Sequence, residues 1–570
     1  LQNKPHIAYF CMEYGIDEEL PIYSGGLGVL AGDHLKAIHD LNLPLIGIGI
    51  LWKQDYTHQY IGDDGRPYDT YPNFEYDFLK DTGITVDVNV RGEKVTCKVK
   101  LVDQYGNAPL YLLDTNFPGS EHGWITSKLY GGGTEERIAQ EIVLGIGGLR
   151  ALRKLGIKVD RYHFNEGHAV LAGIELIREK MQNESLSFKE AKKATKKEIV
   201  FTTHTPVRAG NEAHDHKLLQ DMGAYNSLNY EQMKEIGNDP FNMTIAGLRL
   251  SQIANGVSQL HTETTKEMWK DVSNTSPIIG ITNGVHVKTW QDQRMKDAYE
   301  SNQDLWQPHQ ELKQELINFV KEKNGAEMDP DSLIIGFARR AAPYKRSELI
   351  FRNAEAIDPL LREGKVQLIF SGKAHPNDQT GKDIVQNLVK MDQKYKNSVV
   401  FLENYDMEIA RKMIKGSDVW LNNPRRPLEA SGTSGMKAAM NGVLNLSVVD
   451  GWLAEGPEHG VNGWLIDEVL GEEYNHLSED KYDLKALYTV IYDEVIPTFY
   501  ENRPKWKEMM KASIDMSHWE FSAQRMVKEY YERMYSYGYQ RQEKSKMQKP
   551  GIERVTEAIE VVSPPPHKRI

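Results

Sequence analysis

At 570 residues with 40% apolar side chains, the chain is long enough for two or three domains, each with its own core. A formal charge of −12 argues against a general nucleic-acid binder, although an acidic protein can still hold a local basic pocket for a small anion. Cys11 and Cys97 are the only cysteines, which excludes a disulfide framework and a cysteine-rich metal site, and no apolar run is long enough to span a bilayer.

The opening LQNKPHIAYFCMEYG has neither the basic region nor the apolar stretch of a signal peptide, so a cytoplasmic location is expected. Candidate strands follow at 6–10, 44–51, 161–165 and 199–204. A helix from about Leu27 to Leu41 and another over 135–155 lie among them, and the alternation favours a mainly parallel α/β sheet. Residues 60–115, with runs such as ITVDVNV and KVTCKVKLV, read as an antiparallel, β-rich insertion in a domain covering 1–290. The polar, charged stretch 291–330 reads as a helical passage between domains. A second alternating block fills 331–500, with strands expected at 332–338, 366–372, 398–404, 417–423 and 442–451. Residues 501–537 read as helices that cross back to the first domain, and 538–570 as a mobile tail. The fold class is thus α/β, with two Rossmann-like, doubly wound domains.

The most informative stretch is EASGTSGMKAAMNG at 429–442. Its small residues leave backbone N–H groups open before a short helix and let an anion come close. Ser431, Thr433 and Ser434 add hydroxyls. Lys437 sits just inside the helix, where its amine can face a phosphate or condense with an aldehyde. On composition alone the loop reads equally well as a capped turn. A glycine loop, IYSGGLGVLAGDHL at 22–35, enters the first helix but lacks the Walker spacing. In GFARRAAPYKRSEL at 336–349, Arg339, Arg340, Lys345 and Arg346 place four cations within eight positions after a strand, enough to balance two nearby phosphates. Polar strand ends occur at FNEGHA (Asn165, Glu166, His168), FTTHTP (His204) and ITNGVH (Asn283), where such sheets hold ligands. The histidines are scattered, so no metal site is expected.

The 429–442 stretch closely resembles the cofactor segment of the α-glucan (glycogen, starch and maltodextrin) phosphorylases, and NNPRRPLEASGTSGMKAAMNG is similar to their shorter bacterial and archaeal branch. The resemblance runs over about residues 5–535, in family order. It implies that Lys437 carries pyridoxal 5'-phosphate, with Ser431, Gly432, Thr433 and Gly435 around the cofactor. It implies substrate and phosphate contacts at Gly25, Gly26, Leu27, Asn283, Tyr344, Glu429, Ala430, Ser431 and Gly432, with His204 near the sugar's 6-hydroxyl. The arginine for the substrate phosphate falls on Arg340, and the nearby lysine on Lys345. Pro343 departs from the acidic or aromatic residue that many members carry before the tyrosine. The implied reaction cleaves α-1,4-glucan with inorganic phosphate to α-D-glucose 1-phosphate, with retention and with the cofactor's 5'-phosphate as proton relay. Two domains facing a cleft, an arrangement of the GT-B glycosyltransferase type, and homodimers are family expectations. Allosteric regulation is not expected, because the N-terminal extension that carries phosphorylation and nucleotide control in the animal enzymes has no counterpart in this sequence. Two alternatives stay open at this point: a nucleotide-sugar-dependent glucan synthase of the same fold, which has no use for an aldehyde-binding lysine, and a non-catalytic glucan-binding protein.

Overall fold

The computed structural model describes residues 4–466 and 476–539. Two sheets carry the fold. The first has nine strands: β1 (Ile7–Phe10), β2 (Leu45–Ile50), β3 (Lys80–Val90), β4 (Glu93–Val102), β5 (Leu110–Asp114), β6 (Arg161–Asn165), β7 (Ile199–Thr202), β8 (Ile253–Gly256) and β9 (Ile278–Gly280). Their order is β9-β8-β7-β6-β1-β2-β5-β4-β3. β1, β6 and β7 are buried along their whole length, as parallel strands covered on both faces must be. β3 and β4 pair antiparallel and join the edge through β5. In β3 the alternation buries Val86, Val88 and Val90 and exposes the residues between them, so this part of the 60–115 segment extends the main sheet. A separate hairpin, His58–Ile61 with Pro67–Thr70, leaves that sheet and grips residues that follow the second one. The Gln59 amide donates to the Ala374 carbonyl at 3.0 Å and accepts from its N–H at 2.9 Å, and Lys382 pairs with Asp69 at 2.6 Å.

The second sheet is wholly parallel, with β10 (Leu333–Ala338), β11 (Val366–Ser371), β12 (Val399–Leu402), β13 (Val419–Asn422), β14 (Leu444–Val448) and β15 (Gly463–Ile466). The order β12-β11-β10-β13-β14-β15 reverses between β10 and β13. The first sheet reverses between β1 and β6. At each reversal the following loops diverge and open a crevice beyond the carboxyl ends of the strands.

Helix α1 (Gly26–Asp40) covers the first sheet. Helix α2 (Trp306–Asn324), within the stretch expected as a passage, packs on the second: His309 and Lys313 hold Asp418 at 2.9 and 2.7 Å, all three buried. The short α3 (Ser434–Ala439) precedes β14. Helix α4 (Arg503–Ser517) packs Trp506, Met509 and Met510 into the second core. Helix α5 (Ala523–Glu529) and the turn Tyr530–Tyr535 lie in the first core, where His163 meets the Tyr535 hydroxyl at 2.7 Å. A third cluster sets Val285, Trp290 and Phe521 against Met436, Met440 and Trp452, so the end of the first block packs directly on α3. The expected tail lies, beyond Tyr539, outside the described residues. Among the described residues no helix is long and apolar enough to cross a membrane.

Candidate active site

The loops after β10 and β13 meet at the second sheet's reversal. Arg346 is buried in the left-handed region at φ 52°, and its guanidinium holds the carbonyls of Asn423 (2.7 Å) and Pro424 (2.9 Å) and the carboxylates of Asp480 (3.0 Å) and Asp483 (2.7 Å). It therefore ties the two loops together. That anchor places Lys345 Nζ 2.7 Å from Glu429 Oε2, and Arg339 donates to the same oxygen. Burial pushes the Glu429 carboxyl up, but Arg339 and Lys345 outweigh it and hold it below its ordinary range. Its backbone N–H donates to Asp450 at 2.9 Å, and burial pushes that second carboxyl up to about 7. Arg340 points elsewhere: it is exposed, forms no ion pair with a described residue, and bears on Tyr56 and His375. The four cations thus divide into one anchor, two partners of Glu429 and one guanidinium facing open space. Tyr344 lies under the Lys345 amine, its ring centroid 4.6 Å away, and its carbonyl accepts from the Arg425 N–H.

Lys437 is buried in α3, with Nζ 3.8 Å from the Trp290 ring centroid and no hydrogen-bond acceptor among the described residues. Burial lowers its amine to about 8, against the pull of Asp33. An amine stripped of water and left without an acceptor is a ready nucleophile for an aldehyde. Asn441 joins this helix to the indole, donating to the carbonyls of Lys437 and Trp290, both at 2.9 Å. Before the helix, the Ser431 hydroxyl is buried with no partner among the described residues. Gly432 lies at φ 84°, which L side chains rarely adopt. A Cβ at Gly435 would stand 2.6 Å from Asn445 Oδ1, so that glycine serves close packing. Thr433 accepts the Lys437 N–H through its carbonyl at 3.3 Å. The Ala430 carbonyl accepts from Ser258 Oγ at 2.7 Å, which brings the end of β8 against the lysine loop.

At the first sheet's reversal, Glu13 organises the glycine loop. Its carboxylate accepts from the N–H groups of Ser24 (2.6 Å) and Gly25 (3.2 Å) and from the Tyr130 hydroxyl (2.9 Å). No side chain caps α1, and a Cβ on Gly25 or Gly26 would meet nothing within 4 Å. The first amides of α1, at Gly26 and Leu27, are thus left without a side-chain acceptor among the described residues, as an anion-binding helix start requires.

Glu166 holds the polar turn after β6. It sits at φ 77°, uncommon outside glycine, and accepts from the N–H of His204 (2.8 Å) and of Gly167 (3.2 Å). Burial pushes its carboxyl up to about 7 and lowers the His204 imidazole to about 3. The neutral His204 must donate from Nε2 to Asn165 Oδ1, 2.6 Å away, so Nδ1 is left as an acceptor. His168 lies beside this turn, also lowered to about 3 by burial, with Nδ1 lacking a partner among the described residues. Asn283 is buried with its side-chain oxygen likewise unpartnered, while its carbonyl accepts from Arg525 at 3.1 Å.

The structure therefore brings Lys345 and Glu429 together, while Arg340 forms no ion pair with Glu429. It adds Asp33, Trp290 and Glu13, which the sequence reading did not assign to the site. Asp33 had one visible signal: a carboxylate in the middle of the apolar run LAGDHL. A family model described as carbohydrate phosphorylase matches residues 291–459. The chain is 42% identical to the maltodextrin phosphorylase of Thermococcus litoralis, over 93% of this chain and 70% of that one. It is 37% identical to the glycogen phosphorylase of Mycobacterium tuberculosis over the same shares, and 35% identical to that of Aquifex aeolicus, over 94% and 86%. Similarity at this level over 93–94% of this chain, whose lysine loop, arginine loop and glycine loop stand at strand ends of the two sheets, makes the protein a member of the carbohydrate phosphorylase family.

Proposed function

We propose that the chain is an α-glucan phosphorylase, which cleaves α-1,4-glucan with inorganic phosphate and releases α-D-glucose 1-phosphate with retention. The observation that carries this reading is Lys437, a desolvated amine without an acceptor among the described residues, on the short helix after a loop of small residues whose Glu429 pairs with Arg339 and Lys345. In this reading residues 1–290 and 331–500 form two Rossmann-like domains of the GT-B type, and the cleft between them is the active site.

The residues present fit pyridoxal 5'-phosphate. Lys437 would hold its aldehyde, the apolar face of Trp290 lies under that nitrogen, and the unpartnered Ser431 hydroxyl is at hand for a polar group. The bound cofactor supplies a phosphate that exchanges a proton with the substrate phosphate. Arg340, unencumbered by any ion pair with a described residue, binds the substrate phosphate, while Lys345 adds charge beside it. The open amides of Gly26 and Leu27 stabilise the same anion. His204 Nδ1 accepts a sugar hydroxyl, and the Asn283 side-chain oxygen accepts another. Glu429, ionised by its two cations, accepts from sugar hydroxyls on its remaining lone pairs. The buried, unpaired thiols of Cys11 and Cys97 suit a reducing cytoplasm.

The test is to incubate the purified chain with maltodextrin and phosphate and assay glucose 1-phosphate, then reduce with borohydride and map the peptides. Phosphate-dependent release together with a pyridoxyl group on Lys437 supports the reading. Release of sugar from a nucleotide donor with no chromophore would replace it by the synthase.

A further inference from the structure

Asp33 lies in the middle of α1 and is completely buried. Its Oδ2 accepts from the His286 N–H at 3.0 Å and from the Trp290 indole N–H at 2.8 Å. Its Oδ1 is buried with no partner among the described residues. A buried carboxylate oxygen without a donor is an unrecovered desolvation cost and calls for a nearby positive group.

Burial pushes the Asp33 carboxyl up, and the side chains that pull it back are Lys437 most strongly, then His286, then Lys36. The last two have partners of their own. His286 is held by Asp40 at 3.0 Å and by Thr289 Oγ1 at 2.7 Å, and Lys36 donates to Thr289 Oγ1 at 3.3 Å. Lys437 has none among the described residues, and Asp33 is the one described charge that offsets its desolvation. Trp290 touches both groups, with its indole N–H on the carboxylate and its ring face under the amine. The pair runs from α1, the helix of the glycine loop, to α3, the helix of the lysine loop.

We propose that Asp33 is the positioning residue of the cofactor lysine: its open Oδ1 draws the Lys437 nitrogen over the Trp290 ring and keeps that nitrogen protonated. The inference rests on the reading of Lys437 as the attachment point of pyridoxal phosphate. A neutral residue at position 33 leaves the nitrogen with desolvation alone, and its proton is lost at lower pH.

The experiment compares the full chain with Asp33→Asn and Asp33→Glu. Asparagine keeps an acceptor for the two N–H groups and removes the charge. With pyridoxal phosphate bound, the absorbance of the chromophore is followed against pH. Its midpoint should fall by about one unit in Asp33→Asn and return towards the parent in Asp33→Glu. An unchanged midpoint in Asp33→Asn overturns the proposal, because a merely structural role would alter folding or loading without moving the midpoint. The same chains are then labelled free of cofactor with formaldehyde and cyanoborohydride, and Lys437 is followed by peptide mass. Asp33→Asn should label about fivefold faster at neutral pH, because a fall of one unit from about 8 raises the unprotonated fraction from about a tenth to about a half; equal rates overturn the proposal. If the parent chain takes up no pyridoxal phosphate, the cofactor reading falls and the labelling rates still decide the role of Asp33. Should Asp33→Asn fail to fold, Lys437→Met serves instead. Loss of the amine should protonate Asp33 and add a protonated-carboxyl band to the infrared difference spectrum, and no new band overturns the proposal.

Discussion

Lys345 Nζ stands 2.7 Å from Glu429 Oε2 with both side chains buried, and Arg339 shares that oxygen. Removing the charge in Glu429→Gln leaves two buried cations without a counter-ion. The expected loss is about 3 kcal/mol of stability, read by denaturant unfolding, with at least a tenfold fall in phosphorolysis. The sign with pH follows from the depressed carboxyl. Its stabilising contribution is complete at neutral pH and is lost as pH falls through the folded value, below the usual carboxylate range. Glu429→Gln should therefore fall furthest below the parent at neutral pH, and the gap should close as pH falls.

Arg340 and Arg346 are expected to separate stability from activity. Arg346 is wholly buried on two carboxylates and two carbonyls, so Arg346→Ala should cost about 3–5 kcal/mol and lower the yield of folded chain. Arg340 is exposed and forms no ion pair with a described residue, so Arg340→Ala should stay within about 0.5 kcal/mol of the parent. Its KM for phosphate should rise at least tenfold. Equal thermal loss in the two variants would contradict this division.

The glycines divide in the same way. Gly25 and Gly26 have open space where a side chain would go, and Gly25 is extended at φ −167°, so Gly25→Ala should fold normally and bind phosphate more weakly, as isothermal titration would show. Gly432 lies at φ 84°, and Gly432→Ala should cost about 1–2 kcal/mol of stability before any effect on binding.

Burial pushes the Glu141 carboxyl up to about 7, in a cluster with Glu212 and His214. The folded chain binds that proton more tightly than the unfolded one does. The resulting stability is complete below the ordinary carboxylate range and lost as pH rises towards 7 and beyond. Glu141→Gln removes this slope, so its melting temperature relative to the parent should be higher at pH 8 than at pH 5. A difference independent of pH would refute it.

Much of this protein is legible in order along the chain. Apolar runs such as IAYF and VQLIFS mark buried parallel strands because a strand covered on both faces has no polar side to show. The lysine, arginine and glycine loops stand at strand ends because that is where such sheets leave backbone and side chains open. The four-cation run was legible as charge, but not in its division of labour: Arg346 is drawn inward by Asp480 and Asp483, which lie more than a hundred positions away. The edge placement of β3 and β4 likewise depends on β5 pairing with β2. The contact between Asp33, Trp290 and Lys437 was beyond any local reading. Spacing along one helix or one strand defines only that element's faces, whereas this carboxylate, indole and amine come from three separate segments and meet only when the sheets' loops pack together.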